Sequence, residues 1–183
     1  MNVLDVIMLL GLIVGVAIGF VRGLIQQALG LLSIYVSVIV GIWAHRLFGN
    51  GFRALFPSLS RPAANLLGFM TALIILLNAL GFVARDIEKN ASWIEKIPPL
   101  LNQIGGLMLG FITTAFWLGL GGTVLSVIGN APWVGAEEAG RTLAALVDDS
   151  IMAHVFCYAL RLGLYTVSPW IPGGLPDILT SPF

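Results

Sequence analysis

The chain has 183 residues, of which 58% are hydrophobic and only 10% charged, and its nine Lys and Arg balance its nine Asp and Glu. Soluble domains average about 45–50% apolar and about 25% charged residues, so this composition excludes a soluble globular fold. The cations are too thinly spread to form a basic stripe, which leaves no argument for nucleic acid and makes the lipid bilayer the first expected partner.

A spanning helix needs about 20 predominantly apolar residues. The sequence offers four such stretches, at about 3–21, 24–44, 62–84 and 104–128. They predict an all-α integral membrane protein with a four-helix transmembrane domain over 1–128. Residues 129–183 then form an acidic linker, an amphipathic helix and a Pro-rich tail. The first stretch is not a secretory signal: no Lys or Arg precedes it, Asp5 stands where the basic region belongs, and no small-x-small cleavage site follows.

Gly11, Gly15, Gly19 and Gly23 recur at every fourth residue of that stretch. Glycine costs roughly 1 kcal/mol against alanine inside a soluble helix, so a ladder of them predicts a seam where another helix backbone approaches closely. Between Val6 and Ala44 the only charge is Arg22. The run is too long for one span, so the chain must turn near Arg22, giving an antiparallel hairpin with Gln26 and Gln27 just past it. The turn belongs at the membrane interface, where Arg22 can extend toward headgroups.

Residues 45–61 mix Arg46, Arg53 and Arg61 with Phe48, Phe52, Leu55 and Leu59 at helical spacing, which suits the headgroup layer. Asn50-Gly51 reads as a turn and Pro57 as a helix limit. After the third stretch, Arg85 to Gln103 is the most polar part of the chain. There Arg85, Asp86, Glu88 and Lys89 read as a solvated face, Ser92 and Glu95 as a capping box, Trp93 as an interfacial anchor and Pro98-Pro99 as a helix stop. The fourth stretch carries Gly106, Gly110 and Thr114 at the same spacing of four, which predicts packing against the first helix.

Beyond Asn130 come Glu137, Glu138, Asp148 and Asp149, then an apolar run from Ile151 to Val167. His154, Tyr158, Arg161 and Tyr165 fall on one face of a helix over that run. An arginine at mid-depth of a bilayer costs between about 3 and over 10 kcal/mol. The stripe therefore predicts an amphipathic helix resting on the membrane surface, or against the bundle, and not a fifth span. Pro169, Pro172, Pro176 and Pro182 prevent further helix.

No catalytic constellation is visible. His45 and His154 are the only histidines, and His154 with Cys157 supplies two metal ligands where a structural zinc site needs four. The expectation is a protein with no enzymatic activity, cofactor or metal. The polar residues inside the predicted spans, Asn65, Asn78, Thr71, Thr113 and Thr114, are uncharged, so a solute pathway would require an oligomer.

Asp5, the glycine ladder, Arg22-Gly23-Leu24 followed by Gln26 or Gln27, the Gly-rich fourth helix and the closing pattern from Ser150 through Pro169 and Pro172 together resemble the colicin V production protein (CvpA) family. The chain departs from that family at Asn102-Gln103, where an acidic-basic pair often enters the fourth helix. The resemblance implies a multi-pass protein of the bacterial inner membrane, associated with colicin V production, toxin export and envelope phenotypes such as biofilm formation. It implies a scaffold or accessory factor with membrane-protein partners or a homo-oligomer, the alternative being an oligomeric small-solute channel or transporter. Relatives that carry an outer protease domain after the membrane region imply that both ends face outward, which makes residues 129–183 extracytoplasmic. Counting charges does not orient the chain, since Arg46, Arg53, Arg61, Arg141 and Arg161 stand against Arg22, Arg85, Lys89 and Lys96.

Overall fold

The computed structural model describes residues 2–59, 61–90, 97–130 and 137–171, and all its regular elements there are helical. They are α1 (Val3–Leu55), α2 (Arg61–Asn90), α3 (Pro99–Gly129), α4 (Glu137–Asp148) and α5 (Ile151–Val167), closed by a 3-10 turn at Ser168–Trp170. Ser92, Trp93, Glu95 and the prolines at 172, 176 and 182 lie outside the described residues.

α1 is a hairpin. Gly23 breaks it at φ +81° and ψ 173°, a conformation that a side chain would strain. Run straight, the helix would hold residues 15 and 35 about 30 Å apart, at 1.5 Å per residue. Instead Gly15 meets Thr114 of α3, and Tyr35 shares a cavity wall with Ala115 and Phe116, one and two residues further along the same helix. The limbs 3–22 and 24–55 must therefore fold back on one another.

The first limb runs antiparallel to α3, with Gly11 against Leu118, Gly15 against Thr114 and Gly19 against Gly110. The second limb runs antiparallel to α2, with Gly41 on Phe69 and Gly49 on Ala64 and Asn65. α5 also lies along α3 in the opposite sense: Gly122 faces Cys157, while Ile112 shares a cavity with Leu164. Ile34, Val38, Ile42, Phe69, Leu73, Leu120, Leu160 and Leu164 form the core between the second limb, α2, α3 and α5. The outside is as apolar as the inside, with Ile13, Ile18, Ile74, Phe82, Met108 and Ile112 among the exposed residues. That surface is what a lipid-facing bundle requires. Four helices are long and apolar enough to cross a membrane, Val3–Leu55, Ala63–Asn90, Pro99–Gly129 and Ile151–Trp170. Because Val3–Leu55 is a hairpin of two limbs, the candidate crossings among the described residues number five, α5 included, where the sequence predicts four.

Three local expectations change. Asn50-Gly51 makes no turn, and the second limb continues as helix to Leu55. Gly49 explains this, since its missing side chain lets α2 approach, with Gly68 lying over the His45 carbonyl and the Gly49 backbone. Pro98-Pro99 open α3 instead of stopping a helix, because proline in the first turn has no N–H to lose. The acidic linker holds a helix of its own, α4, whose Ala144 backbone packs on Gly129.

The largest difference concerns α5. Its amphipathic character is present: Ala153, Phe156, Cys157, Leu160 and Leu164 are buried on the bundle, while His154, Tyr158 and Tyr165 point away. It does not lie flat across the bundle, however, but runs lengthwise beside α3 at the same depth. The glycines of α3 cause this, since Gly119 has no side chain to keep the Phe156 carbonyl and Leu160 at a distance.

Candidate functional site

Three polar fastenings hold this architecture, and each joins segments distant in sequence. At one end of the bundle, Asn2 caps α1: its side chain accepts from the Asp5 N–H at 3.1 Å, and Asp5 Oδ2 accepts from the Asn2 N–H at 2.8 Å. Asp5 Oδ1 also accepts from the Ser150 hydroxyl at 2.7 Å and from the Met152 N–H at 3.0 Å. Ser150 in turn caps α5 through the Ala153 N–H at 3.1 Å. One fully buried carboxylate thus sits between the N-termini of α1 and α5, where both helix dipoles favour negative charge. The Asn2 amide adds a bond to the Leu146 carbonyl of α4 at 2.6 Å. Asp5 is the one acid in the first apolar stretch, and Asn2-x-x-Asp5 carries the spacing of a capping pair. Its partnership with Ser150 has no local signal.

At the other end, Gly23 turns beside Asn102, whose Oδ1 accepts from the Leu24 N–H at 2.8 Å. Asn102 therefore caps the second limb from α3 and satisfies an N–H that the turn leaves open. This is the position where the chain lacks an acidic-basic pair, and a neutral amide meets the need. Asn102→Leu is expected to lower the unfolding midpoint in detergent, by about 1 kcal/mol of capping energy, with Asn102→Asp retaining most of it. Equal loss in both variants would show that the amide nitrogen, not the accepting oxygen, matters.

Just past the turn, Gln26 donates to both carboxylate oxygens of Glu88 at 2.9 Å and ties the second limb to α2. Glu88 thus belongs to a helix contact and not, as its place beside Arg85, Asp86 and Lys89 suggests in the sequence, to a solvated face. Gln27 is buried, and Arg22 is exposed at the turn. Between the two ends lies the glycine contact. A Cβ at Gly19 would stand 2.6 Å from the Gly106 carbonyl oxygen and 2.7 Å from Gly110 Cα, so these backbones touch with nothing between them.

A family model described as "Colicin V production protein" matches residues 4–160. The chain belongs to that family. No curated protein and no solved structure matches it. In this colicin V production family member the matched span runs from beside Asp5 to within α5, so it takes in both polar ends and the glycine contact.

The outward stripe of α5 completes the set. His154, Tyr158 and Tyr165 are exposed, and His154 Nδ1 lies 2.7 Å from the Ser150 carbonyl. Arg161 is partly buried, and its Nε is shut off from solvent with no hydrogen-bond partner. Cys157 is buried beside it on α5, its Sγ 3.5 Å from the Gly119 carbonyl and 3.8 Å from the Thr123 hydroxyl. On the opposite flank of α5, an apolar cavity of about 350 Å³ opens between the second limb, α3 and α5, with Tyr35 donating to the Thr166 carbonyl at 2.9 Å at its edge. Among the described residues, no three of His, Cys, Asp and Glu gather where they could hold a metal ion.

Proposed function

We propose that this chain is a scaffold or accessory factor of the bacterial inner membrane, associated with colicin V production and export and with envelope maintenance, and that it works through helix contacts and performs no catalysis. One observation carries the reading. The inter-helix polar groups Asp5, Asn102 and Gln26 are spent on fastening helices, whereas the stripe of α5 is turned outward. Such a division suits a protein that holds itself together internally and meets others at its surface.

Affinity capture from gently solubilised membranes tests this reading. A reproducible stoichiometric protein partner supports it. A pure homo-oligomer that passes ions or solutes in liposomes would replace it with a channel.

The proposed orientation places the Asp5 end of the bundle outside. Ala136 immediately precedes α4 in sequence, and α4 is tied to that end through Leu146. Ser92 stands in sequence between Glu88 and Asn102, both of which meet the chain just past Gly23. In a Cys157→Ser background, Ala136→Cys is expected to react with an impermeant thiol reagent in intact cells and Ser92→Cys to be shielded. The reverse pattern inverts the orientation.

A further inference from the structure

Arg161 stands in the middle of the bundle. α5 begins beside Asp5, and ten residues at 1.5 Å each place Arg161 about 15 Å along it. The same rise over residues 5–23 puts the Gly23 turn about 27 Å from Asp5, so Arg161 is near half-way. An arginine side chain leaning toward its helix N-terminus gains only a few ångströms, which leaves the guanidinium well inside a hydrocarbon layer of about 30 Å. Its Nε is also shut off from solvent without an acceptor, a second and independent observation at the same group. A charge at this depth ordinarily pairs with an opposite charge or lines a water-filled path.

The chain's own described acids cannot provide the pair. Asp5 is bonded to Asn2, Ser150 and Met152. Glu88 is held by Gln26 near the Gly23 turn, Asp86 is half a turn from it on α2, and Glu138, Asp148 and Asp149 belong to α4 and its end, beside Asp5. A second copy would bring the same acids at the same depths and would set one Arg161 against another. Among the described acids, charge complementarity therefore gives Arg161 no pair within one chain or between two copies.

We propose that the face of α5 bearing Tyr158, Arg161 and Tyr165 is the docking surface for a transmembrane helix of a partner protein that carries a carboxylate at mid-membrane, with Arg161 as its counter-ion. The pairing names the partner chemistry for the scaffold reading above and rests on it. The two tyrosines, three residues before and four after Arg161, flank the guanidinium on the same face and supply rigid, amphipathic contact area. Arginine suits the role because it presents a planar fork to a carboxylate and stays charged. A docked helix would also complete the burial that α3 and the second limb begin on the other side of α5.

The test uses the full chain in phosphatidylcholine vesicles and a synthetic Leu/Ala transmembrane peptide with one central Glu. Energy transfer is read from a fluorophore on the peptide to one on Thr142→Cys in a Cys157→Ser background. The Glu peptide is expected to associate at least tenfold more strongly than its Gln counterpart. Arg161→Met should remove that preference, Arg161→Lys should keep part of it, and Arg161→Glu should transfer it to a central-Lys peptide.

The isolated Arg161→Met protein should also melt at a higher temperature than wild type, because a buried N–H without an acceptor has been removed. Equal association of Glu and Gln peptides, or a Glu preference that survives Arg161→Met, overturns the proposal. So does a lowered melting point of Arg161→Met, which would mean that the chain satisfies Arg161 itself. Loss of the Glu preference on adding phosphatidylglycerol assigns the site to a lipid phosphate instead, and efficient disulfide dimers of Tyr158→Cys in the Cys157→Ser background assign it to a second copy. If the Glu peptide binds but no cellular partner is captured, the pairing site stands and the scaffold reading falls.

Discussion

Asp5→Ala is expected to release α5 from the bundle. The substitution strips the acceptor from the Ser150 hydroxyl, the Met152 N–H and the Asn2 N–H together. A buried donor left without its acceptor costs about 1–3 kcal/mol, and of the three only Ser150 is fully buried while Asn2 and Met152 are partly exposed, so a total on the order of 4 kcal/mol is expected. Asp5→Asn should cost roughly half as much, since one oxygen remains but the amide N–H groups face donors. The natural Cys157 reports the event directly, because it is the chain's single cysteine and is buried between α5 and α3. In wild type it should resist a membrane-permeant maleimide. In Asp5→Ala it should react at least tenfold faster at a temperature where the far-UV spectrum is still helical. An Asp5→Ala protein with unchanged melting and a protected Cys157 would show that packing along α3, and not the carboxylate, holds α5 in place.

The sequence made some of this architecture legible because the physics involved is local. A single charge in a long apolar run forces a turn, and positive φ at that turn needs glycine, so the hairpin could be placed within a residue of Gly23. The four-residue spacing of glycines in two segments likewise announces a close contact, since both ladders lie on single helix faces. The depth of α5 was not legible. A stripe carrying Arg161 is costly in lipid, and weighing that cost alone favours the surface. What offsets it is nonlocal: the Asp5–Ser150 bond joins residues 145 apart, and Gly119 and Gly122 open a groove that α5 fills. In the sequence Asn102 is only a departure from a charged pattern, and its role as a cap depends on a turn 78 residues earlier. The Asn50-Gly51 pair shows the reverse error. A strong turn signal loses where the neighbouring glycine is needed for packing, because helix continuity preserves the contact between Gly49 and α2.

Glycine substitutions should divide by sign according to what each missing side chain faces. Gly30 and Gly81 have open space where a Cβ would go. Alanine there is expected to leave the melting midpoint unchanged or raise it, by up to about 1 kcal/mol from helix propensity. At Gly19 the same change places a methyl group 2.6 Å from the Gly106 carbonyl oxygen and 2.7 Å from Gly110 Cα. Both obstacles are backbone, so no rotamer change can relieve them and the first limb must move away from α3. Overpacking of this kind costs about 1–3 kcal/mol for small additions, and Gly19→Leu should exceed that and reduce the yield of folded protein. Gly41 is intermediate, since its nearest neighbour is the Phe69 ring at 3.3 Å, a side chain that can shift. The order of destabilisation should therefore be Gly19→Ala above Gly41→Ala above Gly30→Ala. Separation of the first limb from α3 would also draw Gly23 away from Asn102, so the Gly19 variants should lose the stabilising contribution of Asn102, and a double-mutant cycle between the two sites should show coupling. Equal effects at Gly19 and Gly30 would mean that the ladder reflects only the general tolerance of glycine in membrane helices.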